Sequence, residues 1–313
     1  MNDAHSRLPE SPEDVLFAGL TGSLVIGEPL GMRRYDLVPK ARGKDGWFGG
    51  RPPGISSDSW PRSRNNGLPM VHVATIRLPD EYRRQGAHLV AISIFEALDF
   101  ETSDIDGASD ILEGRPLTDE EKEDPYLRSL ALAARSKHPE ERFYVDDVVG
   151  DLTGFAVLWL TLAEFEGKPA SPPKKVIHEA LEDAPCAWDT RAPKQTIAHV
   201  PVEDPNAGKS YRRPSRRELE RALGSEELPS DEAEPEEGRE PGGYVPFCSL
   251  PGEVQAVVGY ATHLGGTLSD PVNVDLPEDL SPYVLELGEV GPANMPRGNF
   301  YIDLETRAMA LGR

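Results

Sequence analysis

The stretch "FGGRPPGISSDSWPRSRNNGLPMVHVATIRLP", Phe48 to Pro79, constrains the fold more than any other part of the chain. A glycine pair, a proline pair, a Trp-Pro step and a Gly-Leu-Pro step stand directly before an alternating run. Glycine opens backbone torsions closed to other residues, while proline fixes φ and withholds a ladder donor. The stretch therefore reads as a rigid corner that pins the entry of a strand at 71–78. Trp60 is its large apolar anchor, expected to be buried where this corner and a second one meet one core. The other reading is a ligand-gripping loop, because such corners also make clefts. The device recurs: "HLGG" with downstream prolines precedes "YVLELGEV" much as "WFGG" with its prolines precedes "MVHVATIRL". Two related corners in one sheet system are expected.

Turn chemistry pervades the chain, with 29 Gly and 30 Pro in 313 residues, which argues against a mostly helical fold. In the first strand Val71, Val73, Ile76 and Leu78 flank His72, Thr75 and Arg77 with an approximate period of two. A more apolar strand follows at 88–98, close enough for a hairpin-like pair. Further strands are expected at 142–150, 154–162, 195–202, 281–290 and 298–305. The firmest helix covers 125–137, with Asp124 as N-cap and Pro125 at its first position. A helical turn at "LAEFEG" and a helix at 172–183 are also expected. Thr118 with Glu121 forms a capping-box pattern. Residues 99–117 read as an acidic loop. An EF-hand there fails, because counting from Asp104 places Gly107 and Glu113 at the wrong positions. Together these expectations describe an α+β fold, strand-dominated, with mainly antiparallel sheets and a few short helices.

The formal net charge is −21, which repels phosphates and argues against a nucleic-acid partner. The same charge suits a basic partner. The beginning of the sequence is polar and acidic, and no apolar run is long enough to span a bilayer, so no membrane partner and a cytoplasmic location are expected. Two cysteines, Cys186 and Cys248, make neither a disulfide scaffold nor a zinc site. The chain divides into an acidic arm (1–14), the first part of a domain (15–202), a charged excursion with an acidic linker (203–243), and the second part of the same domain (244–313). Residues 207–217 carry five basic side chains and no acidic one, whereas 226–240 carry eight acidic and one basic. Ser215 and Glu218 form a second capping box between the two runs.

No GxGxxG, GxSxG or HExxH pattern is present, and "EDPNAGKS" has Glu203 where a phosphate loop needs glycine. The seven histidines never fall at metal-ligand spacing. No catalytic residue, metal or cofactor is assigned. The candidate binding positions, as structural corner or cleft, are Gly49, Gly50, Trp60, His72, His88, His263, Gly265, Gly266 and Glu286.

Gly49, Gly50, Pro52, Trp60, Pro61 and Pro69, followed by Val73, Ala74, Ile76 and Leu78, resemble the start of the YwqG-like family, a bacterial domain of unknown function. Gly265, Gly266, Leu285, Leu287, Gly298, Phe300, Tyr301 and Ile302 resemble its second half. The likeness covers about residues 45–100 and 255–305. Where the family carries Gln and Asp around the first strand's isoleucine, this chain has Thr75 and Arg77. The resemblance implies a strand-rich α+β fold and no established catalytic site. It also implies a non-enzymatic protein-binding role, in its sharpest form an immunity protein that neutralises a basic toxin. The alternative is an enzyme with a site between the two Gly-Gly corners, built from His72, His88, His263 and Glu286.

Overall fold

The structure is a computed structural model that describes residues 32–97, 104–146, 153–173, 178, 193–212, 243–259, 262–269, 279–288, 290 and 299–312. The arm at 1–14, the expected helix at 172–183 (apart from residues 172, 173 and 178), the Ser215–Glu218 capping box and the acidic linker lie outside them.

Eleven strands form one antiparallel sheet. In chain order these are β1 (Arg34–Pro39), β2 (Gly46–Phe48), β3 (Val71–Arg77), β4 (Leu89–Glu96), β5 (Glu141–Asp146), β6 (Thr153–Thr161) and β7 (Gln195–Val202). After a small separate pair, β8 (Tyr211–Arg212) with β10 (Asp279–Leu280), come β9 (Thr262–Leu264), β11 (Val284–Leu287), β12 (Phe300–Asp303) and β13 (Met309–Leu311). The spatial order is β13-β12-β11-β9-β1-β7-β2-β3-β4-β6-β5. Four short helices accompany them among the described residues: α1 (Ala108–Leu112), α2 (Pro125–Arg135), α3 (Leu162–Phe165) and α4 (Gly252–Val258). The fold is strand-dominated α+β, as the turn-rich composition requires.

The seven expected strands are present, at 71–77, 89–96, 141–146, 153–161, 195–202, 284–287 and 300–303. Asp124 caps α2, accepting hydrogen bonds from the Tyr126 and Leu127 amides. Thr118 and Glu121 bond reciprocally, at 2.7 and 3.2 Å, around a single 3₁₀ turn. One expectation is corrected. The acidic stretch 99–117 contains α1, whose Ala108, Ile111 and Leu112 pack with Tyr126, Leu127 and Leu130 of α2. Its apolar positions are too few to show helical periodicity without the partner helix.

The register carries a local two-fold relation. β1 and β7 pair around Val38 and Ala198, and each then pairs with a short strand that ends in two glycines. On one side the run is β1, β9, β11, β12, β13, and on the other β7, β2, β3, β4, β6. Leu264 pairs with Leu285 as Phe48 pairs with Ala74, and Glu286 pairs with Tyr301 as Thr75 pairs with Ser93. The two corners foreseen in the sequence are thus equivalent positions in one sheet.

Alternation then sorts the side chains by face. One face carries the main core: Leu37, Phe48, Ile76, Ile94, Ile197, Leu264, Leu285, Phe300 and Ile302 belong to it. The sheet curls around this core, so that Phe155 of β6 stacks on Phe300 of β12 at 4.1 Å. Its two ends meet where the Leu311 amide donates to Tyr144 Oη at 3.3 Å and Arg307 pairs with Glu140 at 2.8 Å. The outer face is covered by a second apolar cluster on the β3–β4–β6 side, and on the β9–β11–β12 side by buried polar groups beside a third apolar cluster that includes Tyr244, Leu268 and Val284.

Candidate functional site

Cross-strand partners on one face of an antiparallel sheet touch. Reading across the outer face from β1, the partners are Asp36, His263, Glu286 and Tyr301. All four are buried, Asp36 at 8% exposure and the others at 0%. A buried polar row is costly unless every group is satisfied. His263 Nδ1 lies 2.9 Å from the Gly265 carbonyl, which only accepts, so Nδ1 carries a proton and donates it. Its Nε2 stands 3.0 Å from Glu286 Oε2. That nitrogen makes no well-aimed hydrogen bond among the described residues, so the two groups meet as close neighbours. Glu286 also accepts from the Ser269 amide at 3.0 Å, from Ser269 Oγ and from Asn299 Nδ2.

A second network adjoins it. Arg34, fully buried, donates to Asp36 at 2.9 Å, to Asp204 at 3.1 Å and to the Thr267 carbonyl at 3.0 Å. Asp204 accepts in addition from the Thr267 amide and hydroxyl, both at 2.8 Å, and from the Asn206 amide at 2.7 Å. Asn206 then bonds Val245 through both its amide groups. Asp204 and Asn206 open the segment read as a charged excursion, yet they are anchored to the sheet. Gly265 and Gly266 have φ of 65° and 78°. A methyl on Gly265 would run into Tyr82 Oη, and one on Gly266 into the Asp204 carboxylate.

At the other corner Gly49 and Gly50 have φ of 64° and 65°. The Gly49 amide donates to the Val73 carbonyl at 2.7 Å, just as Gly265 donates to Val284 at 2.7 Å. A buried histidine again donates Nδ1 to the first glycine's carbonyl, here His72 to Gly49 at 3.0 Å. His72 Nε2 then accepts from Thr75 Oγ1 at 2.9 Å, and Ser93 Oγ donates to Thr75 Oγ1 at 2.7 Å. Burial drives the His72 pKa down to about 4, so the ring is neutral and this donor order is fixed.

The nine candidate positions therefore separate. His263, Glu286, Gly265 and Gly266 form one cluster, and Gly49, Gly50 and His72 form another. β9 and β3 stand four strand spacings apart, about 19 Å. His88 is exposed in the turn before β4 and joins neither. His263 and Glu286 meet, but the four candidates do not converge, because His72 lies on β3 at the other corner and His88 in an exposed turn. Trp60 is buried at 6% exposure as expected, but not between the corners. It packs edge-on against Phe95 at 5.6 Å in the outer cluster with Ile55 and Met70, and donates Nε1 to the Met70 carbonyl at 2.8 Å. The proline-rich segment carries it across the outer face of the sheet, away from the main core.

Sequence reasoning missed Arg34, Asp36, Asp204, Thr267, Ser269 and Asn299. The available signal was Asp204-Pro205-Asn206, an Asx-turn pattern whose Asp bonds the amide two residues on. The arrangement is suited to holding loops and protons in place. Both histidine clusters are closed to solvent, and a shallow depression lies elsewhere, beside Trp60, Arg62 and Arg64. Among the described residues no group of three metal-ligating side chains occurs. No helix of the described residues is long and apolar enough to cross a membrane. Compared with protein-family models, curated proteins and solved structures, the chain finds no match.

Proposed function

We propose that this protein is a non-enzymatic, YwqG-like binding protein that presents an acidic surface to a basic protein partner, in its sharpest form an immunity protein facing a toxin. The observation that carries the reading is the acidic segment 104–124, which contains α1 and leads into α2. Asp104, Asp106, Asp110, Glu113, Asp119, Glu120 and Glu123 are all exposed there. The two cations among residues 104–124 are already paired, Arg115 with Glu121 at 2.8 Å and Lys122 with Asp119 at 2.7 Å. A surface dominated by one sign of charge steers an oppositely charged partner and selects against others. The enzyme reading has less support, because His263 and Glu286, its two adjoining groups, are wholly buried.

The test is co-expression with any toxin-like protein encoded by a neighbouring gene, followed by capture at several salt concentrations. The expected complex weakens as salt rises. It is lost when Asp104, Asp106, Glu113 and Glu120 are changed together to Asn or Gln. Absence of a complex, or capture indifferent to those changes, overturns the reading.

A further inference from the structure

The two glycine corners are equivalent, but among the described residues only one of them contains its own anion. At Gly265-Gly266 the next residue, Thr267, offers its amide to the Asp204 carboxylate, and Arg34 completes the grip. Register identifies the counterparts at Gly49-Gly50. Arg34 directly precedes Tyr35, which pairs with Leu264, and Lys194 directly precedes Gln195, which pairs with Phe48. Both cations lie against the second glycine, Arg34 Cδ at 3.0 Å and Lys194 Cβ at 2.9 Å from where its Cβ would stand. Arg51 occupies the place of Thr267.

The carboxylates have no counterparts among the described residues. Thr196 stands where β1 has Asp36, and its hydroxyl bonds the Lys40 carbonyl. Among the described residues no carboxylate meets Lys194, and no oxygen accepts from the Arg51 amide. Lys194 instead holds its ammonium 3.7 Å from the centre of the Trp47 ring, which Phe165 backs at 6.0 Å. Trp47 in turn donates Nε1 to the Arg51 carbonyl at 3.2 Å, which fixes the peptide after the glycines. Desolvation alone lowers the Lys194 pKa, and no acid acts against it. Arg34 is sealed, whereas Lys194 and Arg51 are exposed.

We propose that the Gly49-Gly50 corner is an oxyanion site. The Arg51 amide and the Lys194 ammonium would take from outside a phosphate or carboxylate group, in the position that Asp204 fills from within at the other corner. A backbone amide with no acceptor among the described residues, beside a cation, supplies the donor and the charge that backbone anion sites use. Trp47 forms an apolar wall beside the bound group. The site is independent of the acidic segment 104–124.

The test is an NMR titration of the full chain with inorganic phosphate, and separately with acetate, at constant ionic strength. The Arg51 amide resonance is expected to shift saturably, while the Thr267 amide, already occupied, stays still. Lys194→Met keeps the stem packed on Trp47 and removes the charge, so binding should weaken by about tenfold or more. Saturation by phosphate or by acetate identifies the group taken. If neither moves Arg51, if Thr267 moves equally, or if Lys194→Met titrates like the parent, the proposal is overturned.

Discussion

Glu286 stands directly across the sheet from His263, its Oε2 3.0 Å from the imidazole Nε2, with both side chains at 0% exposure. Three further donors from the loops around them, two on Ser269 and one on Asn299, close on the same carboxylate. A carboxylate this deep is stable only while all of its partners remain. Glu286→Ala should therefore lower unfolding free energy by about 3–5 kcal/mol, the usual cost of stranding one member of a buried charged network. Urea unfolding measures it. A loss below about 1 kcal/mol would show that the network is incidental.

Trp60 tests the outer cluster in the same way. Trp60→Ala removes the ring from Phe95 and the hydrogen bond to Met70, and large-to-small core changes of this kind cost about 3–5 kcal/mol. Trp60→Phe should cost less, since it keeps a ring and loses the Nε1 donor. Thermal melting of the two variants should rank them in that order. A soluble Trp60→Ala protein that melts with the parent would refute the anchor role.

His72 makes stability depend on pH. Its pKa is about 4 when folded against 6.5 when exposed, so between those values the unfolded chain binds the extra proton. The contribution is complete above pH 6.5, falls as pH is lowered, and is gone near pH 4. The span corresponds to about 3 kcal/mol. His72→Gln should flatten the dependence of the urea midpoint across that range, and an unchanged slope would disprove the assignment.

Much of the sheet was legible because its longer strands carry their own pattern. Val73, Ile76 and Leu78 alternate, and Phe155 to Leu160 form an apolar run, so burial on one or both faces shows directly in the sequence. β1 escaped because Arg34 and Asp36 look like surface residues until Asp204, distant in the chain, supplies the missing partner. β9 and β13 are three residues each, too short for any periodicity. The glycine pairs were readable as corners, since few other roles need two consecutive left-handed residues. Their pairing as equivalents rested on register, which local sequence does not encode. The partnership of His263 with Glu286 was hidden for the same reason, although both were singled out.

The position of β1 has a consequence for how the chain comes to be made. The first strand among the described residues lies in the middle of the sheet, between β7 and β9, and not at an edge. During synthesis Arg34–Pro39 leaves the ribosome long before Gln195–Val202, and longer still before Thr262–Leu264. Until both arrive, its two rows of peptide groups are not both paired, and until residue 204 arrives its buried arginine has Asp36 but not Asp204. Chains whose pairings span such separations fold slowly and stay open to wrong association meanwhile. A nascent chain stalled before residue 195 would hold hairpins such as β3–β4 and lack β7, the strand that joins β1 to β2. The strand that leads the fold in sequence is among the last to be completed in space.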